Sequence, residues 1–285
     1  FRQVKPMMQC FEEKFGFYPF KNDSYKLVES PYLGMEHQSA VAYGNGYRNG
    51  YRGTDLSNTG IGLEFDFIII HETAHEWFGN AISVADIADL WIHEAFATYA
   101  EAVYVECESS KEKAVDYLNG IRKNVTHNKA IIGNYGVNNE GSSDMYFKGA
   151  NFVHTLRTVL NDDEKWWELL KTFVSRYKYK TIKTDDVLAH FQPYYQLDLQ
   201  PVFDQYLRCK KLPKLFIKKQ NDRLEIKWQT DVANFQMPID INIKDKGKRI
   251  SVTNNWKEVK QFSSIRSFKE QIDQQNMYYG VTTID

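Results

Sequence analysis

His71-Glu72-Thr73-Ala74-His75-Glu76-Trp77-Phe78-Gly79-Asn80, followed nineteen positions beyond its second histidine by Glu94, is the stretch that decides how this 285-residue chain is read. If it is helical, His71 and His75 stand at i and i+4, so both imidazoles leave one face about one turn apart and can share a metal ion. Two nitrogens do not close such a site. A catalytic zinc takes three protein ligands and keeps a fourth position open, and Glu94 is the carboxylate available to complete a His, His, Glu set. Glu72 is turned about 100° from His71 around the helix, which sets its carboxylate beside the open position, where it can take a proton from water.

A chance repeat of histidine and glutamate on an amphipathic helix competes with this reading. The approach to His71 is apolar (Phe65, Phe67, Ile68, Ile69, Ile70), so the histidines would lie on a buried helix, where an unpaired imidazole or carboxylate is costly unless it binds something. Glu94 sits in similar text, among Leu90, Trp91, Ala95, Phe96 and Tyr99. One zinc ion held by His71, His75 and Glu94 is the expectation, and a purely structural buried network is its alternative.

Composition sets the frame. Hydrophobic residues at 42% and charged residues at 26% are values of a globular chain, and the length suits one large domain or two ordinary ones. No run approaches eighteen apolar residues, so no membrane span is expected. The chain opens at Phe1 without a signal-like segment, which reads as a processed or excised piece and leaves the compartment open. The three cysteines, Cys10, Cys107 and Cys209, are widely spaced and odd in number, which argues against a disulfide framework. Net charge is -1, but residues 210–285 hold 15 Lys+Arg against 9 Asp+Glu, leaving -7 for residues 1–209. An acidic catalytic half suits a cationic substrate better than nucleic acid.

Taken in order, the spacing of Val4, Met7, Met8, Phe11 and Phe15 predicts a helix within residues 1–20, stopped by Gly16 and Pro19. Residues 25–43 read as strands, with Asn45-Gly46 and Asn49-Gly50 as turns. Glu36, within them, reads from its local sequence as a solvated strand residue. Helices are expected over 65–79, 89–109 with Asp89 as N-cap, 111–126, 147–160, 163–178, 184–195 and 201–210. Tyr146 falls at a helix start, where a tyrosine is ordinarily partial core. His127, His154 and His190 stand alone in helical text and read as structural, and His93 reads as a neighbour of a ligand. Beyond residue 212 the period changes to two (Leu215, Ile217; Leu224, Ile226, Trp228; Ile239, Ile241, Ile243), with a turn at Asp245-Lys246-Gly247-Lys248. The expected architecture is α+β: a mainly helical unit with a small β lobe over 1–211, then a small all-β sandwich over 212–285.

Four motifs in order, Gly34-Met35-Glu36, then His71 to Asn80, then His93-Glu94-Ala95-Phe96-Ala97, then Tyr146-Phe147-Lys148-Gly149-Ala150, resemble those of the aminopeptidase N family of zinc metallopeptidases. The resemblance covers about residues 25–160. It implies a thermolysin-like catalytic domain with His71, His75 and Glu94 as zinc ligands and Glu72 as general base. It assigns Glu36 to the site for the substrate's α-ammonium group, Gly34 and Met35 to the strand along which the peptide aligns, and Tyr146 to the developing oxyanion. The implied substrates are peptides with a free N-terminus. His37 and His93 stand where the family usually has asparagine, Ala95 where it has glycine and Glu76 where glutamine is common. The family also has an N-terminal β domain ahead of the catalytic one, whereas Phe1 lies almost at the catalytic part. An endopeptidase with an open cleft, or a peptide-binding fragment inactive without that domain, are the rival readings. Oligomeric state is not legible in the sequence.

Overall fold

The computed structural model describes residues 1–220, 223–243, 246–262 and 264–284. The helical spacing at the start builds α1 (Val4–Phe15), whose Met7, Phe11 and Phe15 are buried. Its end is pinned to the segment after His75: the Trp77 Nε1–H donates to the Gly16 carbonyl (2.8 Å), and Phe11 and Phe15 meet the Trp77 ring edge-on at 5.7 and 6.5 Å. Such pairs contribute about 0.5–1.5 kcal/mol each beyond the area they bury. The extended text folds as β1 (Leu27–Glu29), β2 (Gly34–Met35) and β3 (Val41–Tyr43), with β3 central, parallel to β1 and antiparallel to β2.

The stretch around His71 forms α2 (Phe67–Ala74), capped by Asp66, whose side chain accepts from the Ile68 and Ile69 amides. The helix is shorter than the expected 65–79. After Ala74 the bonds tighten to i→i−3, from Glu76 N to Thr73 O and from Trp77 N to Ala74 O, and Gly79 turns the chain out at φ 147°.

Next come β4 (Ile82–Val84), α3 (Trp91–Glu108), α4 (Lys111–Ile121), α5 (Asp144–Leu160), α6 (Asp163–Tyr177), β5 (Lys180–Ile182), α7 (Thr184–Phe191) and α8 (Gln200–Phe203). A π-type turn over Asp204–Arg208 completes the helix expected at 201–210. α3 is the axis of this half, buried at every position from Trp91 to Val105 and packed against α2, α4 and α5. Asp89 does not cap it. Leu90 holds that position without a side-chain bond, and buried Asp89 accepts from the Tyr135 and Thr184 hydroxyls. The expectation of no disulfide is also corrected. Cys10 of α1 is bonded to Cys107 of α3, with Cα atoms 6.1 Å apart across 97 residues of sequence, and Cys209 is left free. An odd count of distant cysteines says nothing about proximity, which arises because α1 lies across the C-terminal half of α3.

The period-two text forms β6 (Lys214–Gln220), β7 (Arg223–Gln229), β8 (Gln236–Ile243), β9 (Lys246–Thr253), β10 (Lys257–Glu258) and β11 (Gly280–Ile284), with α9 (Ile265–Lys269) before the last strand. One sheet has the order β10-β7-β6-β11, and β8 pairs with β9 in a second. Alternate residues Leu215, Ile217, Leu224, Ile226 and Trp228 of the first, and Met237, Ile239, Ile241 and Val252 of the second, are buried together. The expected turn at 245–248 differs: β9 already begins at Lys246, and Asp245 lies outside the described residues. This β region is bolted to α5 and to the turn that follows α4. Arg249 donates to the Thr158 and Val159 carbonyls, the Tyr278 amide to Thr155 Oγ1, and Arg122 to the Gln274 and Gln275 carbonyls. No helix among the described residues is long and apolar enough to cross a membrane.

Candidate active site

Two anchors set α2. At its start, Asp66 is held by the Tyr43 hydroxyl and by Asn45 Nδ2 (2.8 Å), so the helix is tied to the end of β3. At its far end, His75 Nδ1 lies 2.9 Å from the Phe78 carbonyl oxygen, which can only accept. That contact assigns the proton to Nδ1 and leaves Nε2 with a lone pair in the neutral ring. His71 is fixed in the same way by a residue the sequence reading missed. Its Nδ1 lies 2.7 Å from Glu101 Oε1, and the other oxygen of Glu101 accepts from the Tyr117 hydroxyl. The available signal was spacing: Glu101 is seven residues beyond Glu94 on α3, two turns along the same helical face.

Both Nε2 atoms therefore face one carboxylate oxygen. Glu94 Oε2 is 3.3 Å from His71 Nε2 and 3.4 Å from His75 Nε2, with the two rings 5.0 Å apart and steeply inclined. The ligand atoms of His71, His75 and Glu94 all lie within 4.8 Å of one another, in buried surroundings. Three lone-pair atoms converging away from water form a set that could hold a cation. The proton balance points the same way. Burial alone would lower the histidines, but the carboxylates of Glu101 and Glu94 raise His71 well above its usual range, and Glu94 raises His75. Burial alone would raise Glu94, but its contacts with the two imidazoles hold it below the usual carboxylate range. Two nitrogens and a carboxylate oxygen are the donor set zinc prefers, so these residues fit the metal that the sequence implied.

Glu72, Glu36 and His75 place ligand atoms within 4.8 Å of one another. Burial, ahead of the charges around it, raises the Glu72 carboxyl. Gly34 of β2 lies directly against it: a Cβ at that position would stand 2.9 Å from Glu72 Oε1 and 2.8 Å from Ile68 Cγ2. Met35 is exposed at the end of the strand. Tyr146 enters from the first turn of α5, its ring 6.0 Å from that of His71, and burial followed by the Glu94 charge keeps its phenol protonated far above the ordinary range. Its depth is set by Gly149, where a Cβ would come within 2.6 Å of Ala95 Cβ on α3. His71, Glu72, His75, Glu94, Glu36, Gly34 and Tyr146 are thus brought together.

Other expected histidines stand elsewhere. His93 is buried, its Nε2 without a hydrogen-bond partner among the described residues, burial lowering it to about 4, and it is not in the converging set. His127 contacts the Lys210 carbonyl and Tyr278, and His190 contacts Thr172 and the Leu169 carbonyl.

Residues 1–206 match the model of the peptidase family M1 domain. Among curated proteins, the chain is 27% identical over 171 residues to human aminopeptidase B, covering 51% of this chain and 26% of that protein. It is 30% identical over 143 residues to mouse endoplasmic reticulum aminopeptidase 1, covering 47% of this chain and 15% of that one. The chain thus spans about a quarter or less of these relatives' lengths. Among solved structures, an M1 zinc metallopeptidase from Deinococcus radiodurans aligns with a TM-score of 0.57 at 22% identity, over 73% of this chain and 43% of that one. A mutant of a metallopeptidase of that class and organism, bound to a Tyr-Ser-Ala substrate, aligns with a TM-score of 0.56 at 21% identity, over 73% and 44%. At such identity the likeness speaks to the fold.

Proposed function

This chain belongs to peptidase family M1, and from that premise we propose that it is a zinc-dependent aminopeptidase that removes the first residue of peptides with a free N-terminus. The observation that carries the proposal is the convergence of His71, His75 and Glu94, with the Glu72 carboxylate beside His75 and against β2 but outside the converging set. We assign residues 1–211 to a thermolysin-like catalytic unit and 212–285 to a β-sandwich.

His71, His75 and Glu94 would hold the zinc, which when bound polarises the scissile carbonyl and makes water acidic near neutral pH. Glu72 takes the proton of the attacking water on its carboxylate and delivers it to the leaving amine. The Tyr146 O–H donates to the oxygen on which negative charge develops, and its raised pKa keeps that proton in place. Glu36 pairs with the substrate ammonium and so selects free N-termini. The missing Cβ of Gly34 lets β2 pack directly against Glu72, so a peptide aligned along that strand would run beside the general base.

The test is hydrolysis of one fluorogenic peptide in free and N-acetylated forms, with Glu72→Gln and Tyr146→Phe as controls. Cleavage of the free form by about a hundredfold in preference is expected, with turnover abolished by Glu72→Gln at unchanged zinc content. Tyr146→Phe lowers kcat by about 100- to 1000-fold. Equal cleavage of both forms would move the protein to the endopeptidase reading. Cleavage of neither, with zinc bound, would make it a peptide-binding fragment.

A further inference from the structure

Glu36 lies one residue beyond the last paired position of its strand. The register runs Gly34 with Tyr43 and Met35 with Ala42, and stops there. Among the described residues, no strand pairing therefore holds the backbone that carries Glu36. What holds it comes from the opposite side, from the turn that follows α2. Asn80 Nδ2–H donates to the Glu36 carbonyl at 2.8 Å. Three residues on, the Ser39 amide donates to Glu76 Oε1 at 2.6 Å. Between these two bonds the chain closes on itself, with His37 N to Met35 O and Ala40 N to His37 O.

The same turn orients His75, because Phe78, whose carbonyl faces His75 Nδ1, lies between Glu76 and Asn80. One five-residue segment thus touches both halves of the site. Its main chain sets the rotation of one imidazole of the converging set, and its side chains set the backbone of Glu36. Glu76 is fully buried and Ser39 nearly so, so the bond between them is shielded from competing water, and an amide that lost its acceptor there would be costly.

We propose that Asn80 and Glu76 are positioning residues that gauge the distance between Glu36 and the His71, His75, Glu94 cluster, and so fix that a single residue is removed from a free N-terminus. This rests on the assignment of Glu36 to the substrate ammonium. Each acts through the backbone of 36–39, so its loss loosens recognition of the ammonium while the catalytic groups stay in place.

The experiment compares the zinc-loaded wild type with Asn80→Ala, Glu76→Leu and Glu76→Gln on the paired free and N-acetylated peptides. Asn80→Ala is expected to raise KM for the free peptide about three- to tenfold and to reduce the preference over the acetylated form by the same factor, with kcat moving less than KM. Glu76→Leu behaves alike, whereas Glu76→Gln, which keeps an oxygen acceptor for the Ser39 amide, restores the preference. A purely structural role would lower the amount of folded enzyme without moving the ratio of the two substrates. Unchanged KM and preference in Asn80→Ala and Glu76→Leu, from a wild type that discriminates, overturn the gauge alone. A wild type that does not discriminate overturns the ammonium assignment, and the gauge with it. If neither variant folds, hydrogen exchange in the wild type decides: a Ser39 amide protected like the amides of α2 is expected, and a rapidly exchanging one overturns the proposal.

Discussion

Replacing Glu101 by glutamine isolates the charge behind His71. The carboxylate is buried, accepting from His71 Nδ1 at 2.7 Å and from the Tyr117 hydroxyl. Glutamine has the same shape, its carbonyl can still receive the imidazole N–H, and its amide can donate to a rotated Tyr117 hydroxyl, so no polar atom is stranded. What disappears is the negative charge that raises the basicity of His71. Partners of this kind typically contribute 10- to 100-fold to metal affinity, or about 1.4–2.8 kcal/mol. Zinc dissociation from Glu101→Gln should therefore rise by about that factor, while kcat at saturating zinc stays within about threefold, because Glu101 does not reach the space beside Glu72. Competition against a graded series of chelators measures the first quantity, and initial rates at saturating zinc measure the second. An unchanged dissociation constant with an unchanged melting temperature would show that the charge of Glu101 is irrelevant to the metal and refute the reasoning.

Gly34→Ala places a methyl group 2.9 Å from Glu72 Oε1 and 2.8 Å from Ile68 Cγ2; the displaced carboxylate should lower kcat/KM about ten- to hundredfold, and wild-type kinetics would show that β2 can yield. Cys10→Ser opens a bridge spanning 97 residues, for which the chain-entropy limit is about 4.7 kcal/mol; urea unfolding should show a clear drop, and equal midpoints with and without reductant would deny the bridge its role. Burial raises Glu76 from 4.5 to about 7. Since the folded protein holds that proton more tightly, the contribution is complete below pH 4.5 and is lost as pH rises through about 7. The melting temperature of Glu76→Gln should therefore gain on the wild type between pH 5 and pH 8, whereas a constant offset would refute the shift.

Much of the site was legible because its chemistry is local. His71 and His75 on one helical face, Glu72 beside them and the change of period near residue 212 follow from repeats of 3.6 and 2.0 residues, which neighbours along the chain impose on one another. Helix ends were less legible, because competing partners decide them. Asp89 has the right type for an N-cap, but Tyr135 and Thr184 claim its carboxylate. The run to Gly79 has helical spacing, but the Phe78 carbonyl is needed for His75, so the chain leaves α2 early.

The donor types and their spacing along α2 and α3 were determined by the sequence alone, since a helix carries its own geometry. Tertiary structure alone decided that Glu101 and Tyr117 stand behind His71, that Cys10 meets Cys107, and that Asn80 and Glu76 grip the backbone at Glu36 and at Ser39. Each of these pairings joins different elements. Which of many compatible side chains meet is settled only when the shared core brings those elements together.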